Sequence, residues 1–331
     1  MQDLTAESDT STPPLAGARA PDFFIVGHSK CGTTALTRMV SRHPQVHIPV
    51  KEPGYFAPEL RSRVRRPRSR RRTDSLEGYL SLFASAQPGQ RVGEGTPSYL
   101  RSPSAAERIA MLRPDARIVA IFREPVAFLR SLHLQLVHNY TETEKDFRRA
   151  IELEPQRRAG RRIPRLSQVP AALLYSDAVR YVEQLRRFEE AFGREQMLVL
   201  IYDDLRADNE ATVREVWRFL GVEDSYAVEI AELEPLRPLR SLYLYQLWRV
   251  ARTLGRDIPA LGTAGRALRR PLPARVEDAL GAGWRRLVFT EAGAGDEELA
   301  RELRRRFEPE VRALGEYLER DLLTLWGYEG L

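Results

Sequence analysis

Lysine is nearly missing from this chain. Of 52 basic side chains in 331 residues, only Lys30, Lys51 and Lys145 are lysines, and arginine supplies the other forty-nine. Cysteine is scarcer still: Cys31 stands alone, which excludes an intramolecular disulfide framework and any multi-cysteine metal site. No apolar run approaches the roughly 20 residues of a membrane span. The longest, FFIVG, RIVAIF and MLVLIY, have the length of buried strands. Residues 1–20 are acidic and polar, lack the apolar core of a signal peptide, and read as a disordered tail on a cytoplasmic protein. What the chain does have is one concentrated charge. Its formal net charge is +6, and eight arginines lie in RSRVRRPRSRRR, residues 61–72. Removing those eight charges leaves −2, so the chain is near neutral with one basic patch. That pattern argues against a uniformly basic nucleic-acid binder.

Strand-sized apolar runs alternate with helical patterns. A buried strand from Asp22 to Val26 leads through a glycine loop into a helix expected from about Thr33 to Arg42, ended by His43-Pro44. QVHIPV reads as extended, SLEGYLSLF as helical, RVGEGTPSYL as strand-like, SAAERIAMLRP as helical and RIVAIF as a strand. The next helix starts on Pro125, a favoured first position. A variable arginine-rich stretch reaches about residue 170. Beyond it the spacing predicts one long amphipathic helix from Ala171 to Phe192, stopped by Gly193. MLVLIY is a buried strand, and residues 208–220 form a helix closed by Gly221. The arginine run, broken by Pro67, reads as a solvated surface loop. Residues 237–295 form a variable region without a clear pattern. Residues 296–326 are helical, with Pro309 expected to start a second helix. Such alternation implies an α/β fold in three layers, a central, mostly parallel sheet flanked by helices. One domain is expected over residues 21–331.

The strongest local signal is FFIVGHSKCGTTAL, residues 23–36. An apolar strand runs into Gly27, four residues intervene, and Gly32-Thr33-Thr34 open a helix. This is the setting of a phosphate-binding loop, where backbone N–H groups and a helix N-terminus face an anion. The glycine spacing matches G-x-x-x-x-G-K-[ST], but Thr33 holds the lysine position and Lys30 sits inside the loop. RIVAIF ends in Arg123, where a nucleoside triphosphatase would place a magnesium-binding aspartate. The loop therefore suits a phosphate-bearing ligand better than a triphosphate–magnesium complex. In a chain that uses arginine almost everywhere, a lysine at this position points to a compact ammonium where a guanidinium is too large.

The arrangement resembles the sulfotransferases that use 3′-phosphoadenosine 5′-phosphosulfate (PAPS), in particular the branch of glycosaminoglycan N- and 3-O-sulfotransferases and bacterial relatives. VGHSKCGTTAL is similar to that family's first loop. KEPGYFAPE, GEGTPSYL and IFREPVAFLRSLHLQLV resemble three further motifs, and they follow in the expected order. The likeness covers most of residues 22–222 and resumes weakly in the C-terminal helices. It implies a P-loop-like fold and sulfuryl transfer from PAPS to an acceptor hydroxyl, or less readily an amine, without a metal. The acceptor would be a small molecule or glycan: a carbohydrate, a glycolipid or a secondary metabolite.

The resemblance also distributes roles. Lys30 would stabilise charge on the departing phosphate, with Cys31, Gly32, Thr33 and Thr34 in the loop that holds the 5′-phosphate. Arg123 and Ser131 would bind the 3′-phosphate. They lie eight residues apart, so they meet only if the intervening turn folds back; without the family, an ion pair between Arg123 and Glu124 is the simpler reading. Arg240, in RPLRS, falls where relatives close a basic loop over the nucleotide. Glu52 maps onto the family's general base, with Glu94 as the second choice; a plain ion pair of Glu52 with Lys51 is the alternative. Lys51, Tyr55 and Tyr99 are candidate acceptor contacts, although aromatics at such positions are more often core. Gly95 departs from the lysine common in glycosaminoglycan members. Cys31 reads as packing, yet a helix N-terminus and Lys30 would lower a thiol's pKa and open it to alkylation. The five histidines read as structural or surface residues. A kinase-like phosphotransferase and a non-enzymatic anion- or nucleic-acid-binding module using the arginine run are the competing classes.

Overall fold

The computed structural model describes residues 19–49, 51–60, 74–165, 167, 169–230, 245 and 296–330. The expected tail through residue 18, the arginine run, Arg240 and the variable region 237–295, apart from Tyr245, lie outside the described residues.

Five parallel strands form one sheet in the order β2–β3–β1–β4–β5. They are β1 (Phe23–Gly27), β2 (Val46–His47), β3 (Arg91–Gly95), β4 (Arg117–Phe122) and β5 (Met197–Ile201). Every residue of β1 is buried, as are all but the first residue of β3 and of β4. Such strands need helices on both faces, and their continuous apolar sequences say so. From β1 the chain moves out to the edge strand β2 and back to β3 on one side, then crosses to β4 and β5 on the other. The switch in direction falls beside β1, and all strand C-termini share one edge.

The helices over the first part of the chain are α1 (Thr33–Val40), α2 (Leu76–Leu80), α3 (Ala105–Leu112) and α4 (Pro125–His138). Next come α5 (Phe147–Glu152), α6 (Glu154–Arg158), α7 (Tyr175–Ala178) and α8 (Tyr181–Phe192). The last described ones are α9 (Tyr202–Ala207), α10 (Asn209–Leu220), α11 (Glu297–Leu318) and α12 (Leu322–Trp326). Several carry their own cap, which satisfies donors that a helix start leaves open. Asp208 accepts from Ala211 N at 2.8 Å, Asp296 from Leu299 N at 2.8 Å, and Glu124 from Val126 N and Ala127 N at 3.0 and 2.6 Å. α1 is different: Gly32 stands at its N-cap and supplies no side chain.

Two expectations are corrected. The single helix predicted over 171–192 is three pieces: a 3-10 turn at Pro170–Leu173, then α7 and α8. Distant carboxylates break it. Glu154 accepts from Ser176 N at 2.7 Å, and Glu310, on α11, accepts from Val182 N at 2.8 Å, so each restart gains an acceptor. Conversely, Pro309 does not begin a helix; it lies inside the continuous α11. The buried stripe Leu299, Leu303, Phe307, Val311 and Leu314 runs past it, and that packing outweighs the lost hydrogen bond. The arginine-rich stretch before residue 170 also holds α5 and α6. His43 and His47 are engaged separately, the first against the Trp217 ring at 4.8 Å and the second with Ser85 Oγ at 3.1 Å. Among the described residues no helix is long and apolar enough to cross a membrane.

Glu94 sits at the heart of the core. It is fully buried on β3, and its carboxylate accepts from the hydroxyls of Tyr79 and of Thr96, the latter at 2.6 Å. Burial pushes its pKa up to about 7, against opposing hydrogen bonds from Thr96, Tyr79 and Tyr99. The folded state thus holds the proton more tightly than an ordinary glutamate, whose value is 4.5. The resulting stabilisation is complete below that value and is lost as pH rises through 7. Glu94→Gln is expected to remove a loss on the order of 3 kcal/mol between pH 4.5 and pH 8, read by urea unfolding of both proteins across that range. Pro309→Ala should restore an amide donor to α11 and raise stability by about 2 kcal/mol; an unchanged urea midpoint would show the helix already relaxed around the ring.

Candidate active site

The edge formed by the strand C-termini opens into a cavity of about 680 Å³. Segments after β1, β2, β4 and β5 reach it. The loop after β1 makes two left-handed steps, Lys30 at φ 78° and Gly32 at φ 85°. A Cβ on Gly32 would lie 2.8 Å from the Tyr202 ring, so both its conformation and its neighbour demand glycine. The first bond of α1 runs from Leu36 N to Gly32 O at 3.0 Å. Among the described residues the amides of Gly32, Thr33, Thr34 and Ala35 meet no acceptor, and all four residues line the cavity. Bare donors at a helix start favour an anion. The Lys30 ammonium has no hydrogen bond or ion pair among the described residues. Burial first, then the charges of Arg123 and Lys51, hold it below the usual lysine value.

Lys51 and Glu52 follow β2 and are fastened to the end of β3: Lys51 bridges to Gly95, and Glu52 N donates to Gly95 O at 3.0 Å. Glu52 is left-handed, at φ 59°. Lys51 Nζ donates to Thr34 Oγ1 and lies 3.2 Å from Glu52 Oε1, tying the loop to the carboxylate. The ion pair is therefore present, and Glu52 still lines the cavity with its side chain about half exposed. A Cβ at Gly95 would meet Thr37 Oγ1 at 2.8 Å, a packing reason for glycine there.

Arg123 follows β4. Its Nη1 donates to Lys30 O at 3.0 Å and to Ser131 Oγ at 3.1 Å, and its guanidinium lies over the Tyr202 ring at 4.7 Å. Arg123 precedes α4 and reaches along it, so eight residues of separation close to one hydrogen bond. Glu124 does not pair with it; that carboxylate caps α4 and accepts from Tyr328 OH at 2.7 Å.

A second cavity, of about 590 Å³, adjoins the first, and Ser29, Glu52, Gln135 and Asn139 line both. α4 serves the two with different faces: Ser131 and His138 border the first, Phe128, Leu132 and Leu136 the second.

The structure thus gathers Lys30, Gly32, Thr33, Thr34, Lys51, Glu52, Arg123 and Ser131 on one cavity. Cys31, Tyr55, Glu94 and Tyr99 line neither cavity. Cys31 is fully buried, and burial pushes its thiol up to about 12, which overturns the expected alkylation. Tyr99 is fully buried, its hydroxyl accepting from Phe56 N at 3.3 Å, and Tyr55 stacks on Tyr79 at 4.6 Å. Sequence reasoning missed Ser29, Gln135, Asn139, Tyr202 and Arg206. A signal existed for two of them: Tyr202 is the first residue past a buried parallel strand, and Gln135 lies one helical turn beyond Ser131.

Comparison with known proteins agrees with this geometry. The model of the sulfotransferase family matches residues 21–226. Human heparan sulfate glucosamine 3-O-sulfotransferase 6 is 33% identical over 117 residues, spanning 34% of this chain and 31% of the relative. Mouse heparan sulfate glucosamine 3-O-sulfotransferase 3B1 is 26% identical over 234 residues, spanning 67% and 53%. The chain therefore spans between about a third and about a half of the length of these curated relatives. The solved structure of a sulfotransferase from Alicyclobacillus acidocaldarius superposes with a TM-score of 0.63 at 26% identity, covering 93% of this chain and 99% of that one. The family match covers well over half of the chain and includes the loop, Glu52, Arg123 and Ser131, so this protein belongs to the sulfotransferase family.

Proposed function

We propose that this chain moves a sulfuryl group from PAPS to a hydroxyl of a carbohydrate, glycolipid or secondary-metabolite acceptor, with Glu52 as general base and residues 21–331 acting as one domain. The observation that carries the reading is a concentration of cations. Lys30, Lys51, Arg123 and Arg206 line a cavity together with the bare α1 amides, and among the described lining residues Glu52 is the single carboxylate.

PAPS is the co-substrate implied by the family. The residues fit it because they form two separate donor sets: the α1 amides with Lys30, and the Arg123–Ser131 pair. The first suits a 5′-phosphate and the second a 3′-phosphate, as the resemblance implies. When bound, PAPS supplies the sulfuryl group: its sulfur forms a bond to the acceptor oxygen as the bond to the 5′-phosphate oxygen breaks, and the phosphate keeps the electron pair. Lys30 is placed to neutralise charge that grows on that phosphate, a contact stronger in the transition state than before it. Glu52, on the wall shared by both cavities, takes the acceptor proton on a carboxylate oxygen. Lys51 holds that carboxylate in place. Glu94 is enclosed by Tyr79 and Thr96, so no acceptor reaches it. The curated relatives are named for heparan sulfate glucosamine, which makes a glycan hydroxyl one acceptor to include in a screen.

Purified protein should bind 3′-phosphoadenosine 5′-phosphate (PAP), and Lys30→Ala or Arg123→Ala should weaken that binding about tenfold or more by calorimetry, from loss of a charged contact. Tight ATP–magnesium binding, with no response to a 3′-phosphate, would overturn the assignment. Glu52→Gln should keep PAP affinity while turnover falls about a hundredfold or more, measured with labelled PAPS and an acceptor panel. A rate near that of the parent protein would place the base elsewhere.

A further inference from the structure

Among the described residues that line the second cavity there is one cation. Arg101 supplies it, and its guanidinium has no hydrogen bond and no ion pair among the described residues. The carboxylate that acts on it, Asp177, is committed elsewhere: Arg158 grips both of its oxygens at 2.7 and 3.1 Å. The residues on either side of Arg101 are pinned. Leu100 O accepts from Arg187 at 3.4 Å, and Ser102 Oγ bonds Glu59 and accepts from Ala105 N at 3.0 Å.

No other described residue lining this cavity carries a positive charge. His28 also lines the cavity, with its Nε2 buried and unpartnered. Burial and the charge of Arg101 drive its imidazole down to about 3, so it stays neutral at ordinary pH. Phe128, Leu132, Leu136 and Val169 give the wall an apolar face, and Ser98 and Thr141 add neutral polar groups. An arginine on a cavity wall with no hydrogen-bond or ion-pair partner among the described residues leaves its charge to a ligand, and its planar fork matches a carboxylate or related oxyanion. The first cavity collects several cations; the second, among the described residues, has one.

We propose that Arg101 determines acceptor specificity, and that the acceptor is a small alcohol bearing a single carboxylate on an apolar body. Arg101 holds the acidic group while the hydroxyl lies at Glu52, where the two cavities meet. The inference rests on reading the first cavity as the donor site.

The test titrates PAP-saturated protein by calorimetry with a matched pair of probes, 8-hydroxyoctanoate and octane-1,8-diol. The acid is expected to bind about tenfold to a hundredfold more tightly than the diol, as one charged contact provides. Arg101→Leu should erase that preference and leave PAP affinity intact, which also reports that the variant is folded. Arg101→Lys should keep part of it. Equal binding of the two probes, no saturable binding of the acid, or a preference that survives Arg101→Leu would each overturn the proposal. Failure to bind PAP at all would instead overturn the reading of the first cavity, so the two failures are distinguishable.

Discussion

Every strand of the sheet runs in one direction, and the rest of the site depends on that constraint. Residues leaving β1, β2, β4 and β5 lie far apart in the sequence, yet a parallel sheet delivers them to one edge. The order of strands adds to this. β1 lies between β3 and β4, so the loop that follows it is flanked by the segment that carries Lys51 and Glu52 on one side and by Arg123 on the other. Lys51 and Arg123 then fasten the loop, the first through Thr34 and the second through the Lys30 carbonyl. No single segment could place these charges alone.

The legible part of the fold was the part written in short-range patterns. Buried parallel strands are apolar along their length, so FFIVG, RIVAIF and MLVLIY declare themselves, and Gly221 closes α10 in the left-handed conformation expected of it. The misreadings share one cause, tertiary contact. The apolar spacing of residues 171–192 is satisfied by two helices as well as by one, and the choice is made by Glu154 and Glu310, which no local window contains. Pro309 stays helical because the buried stripe of α11 continues across it.

Within the site the same division holds. Lys30, Gly32 and Thr33 follow from a strand–glycine–helix pattern, where conformation and chemistry are both local. Arg123 and Ser131 came from the family motif rather than from spacing, since a separation of eight does not place two residues on one helical face. Only the reach of Arg123 back along α4 explains their contact. Cys31 shows the limit of reasoning by neighbours: a cation and a helix start lie beside it, but it faces inward, and burial prevails over both. Arg101 carries no motif. Among the described residues the carboxylate that acts on it, Asp177, is taken by Arg158, a fact of packing.

The charges around the first cavity explain why such a site would hold an anion firmly. Lys51 has Glu52 and Thr34; Arg123 has a carbonyl, a hydroxyl and the face of Tyr202. Among the described residues Lys30 has none of these, and its two neighbouring cations work against its own charge. The same residue, like Glu52, is held in a left-handed backbone that costs about 1–3 kcal/mol in a residue other than glycine. Folding therefore leaves unfavourable terms concentrated at one edge of the sheet, and the buried core behind it keeps them there. A bound anion relieves the repulsion and fills the empty α1 donors at once. Because those donors are already fixed, little further ordering is required when charge shifts during reaction, and that is the condition under which electrostatic stabilisation is most effective.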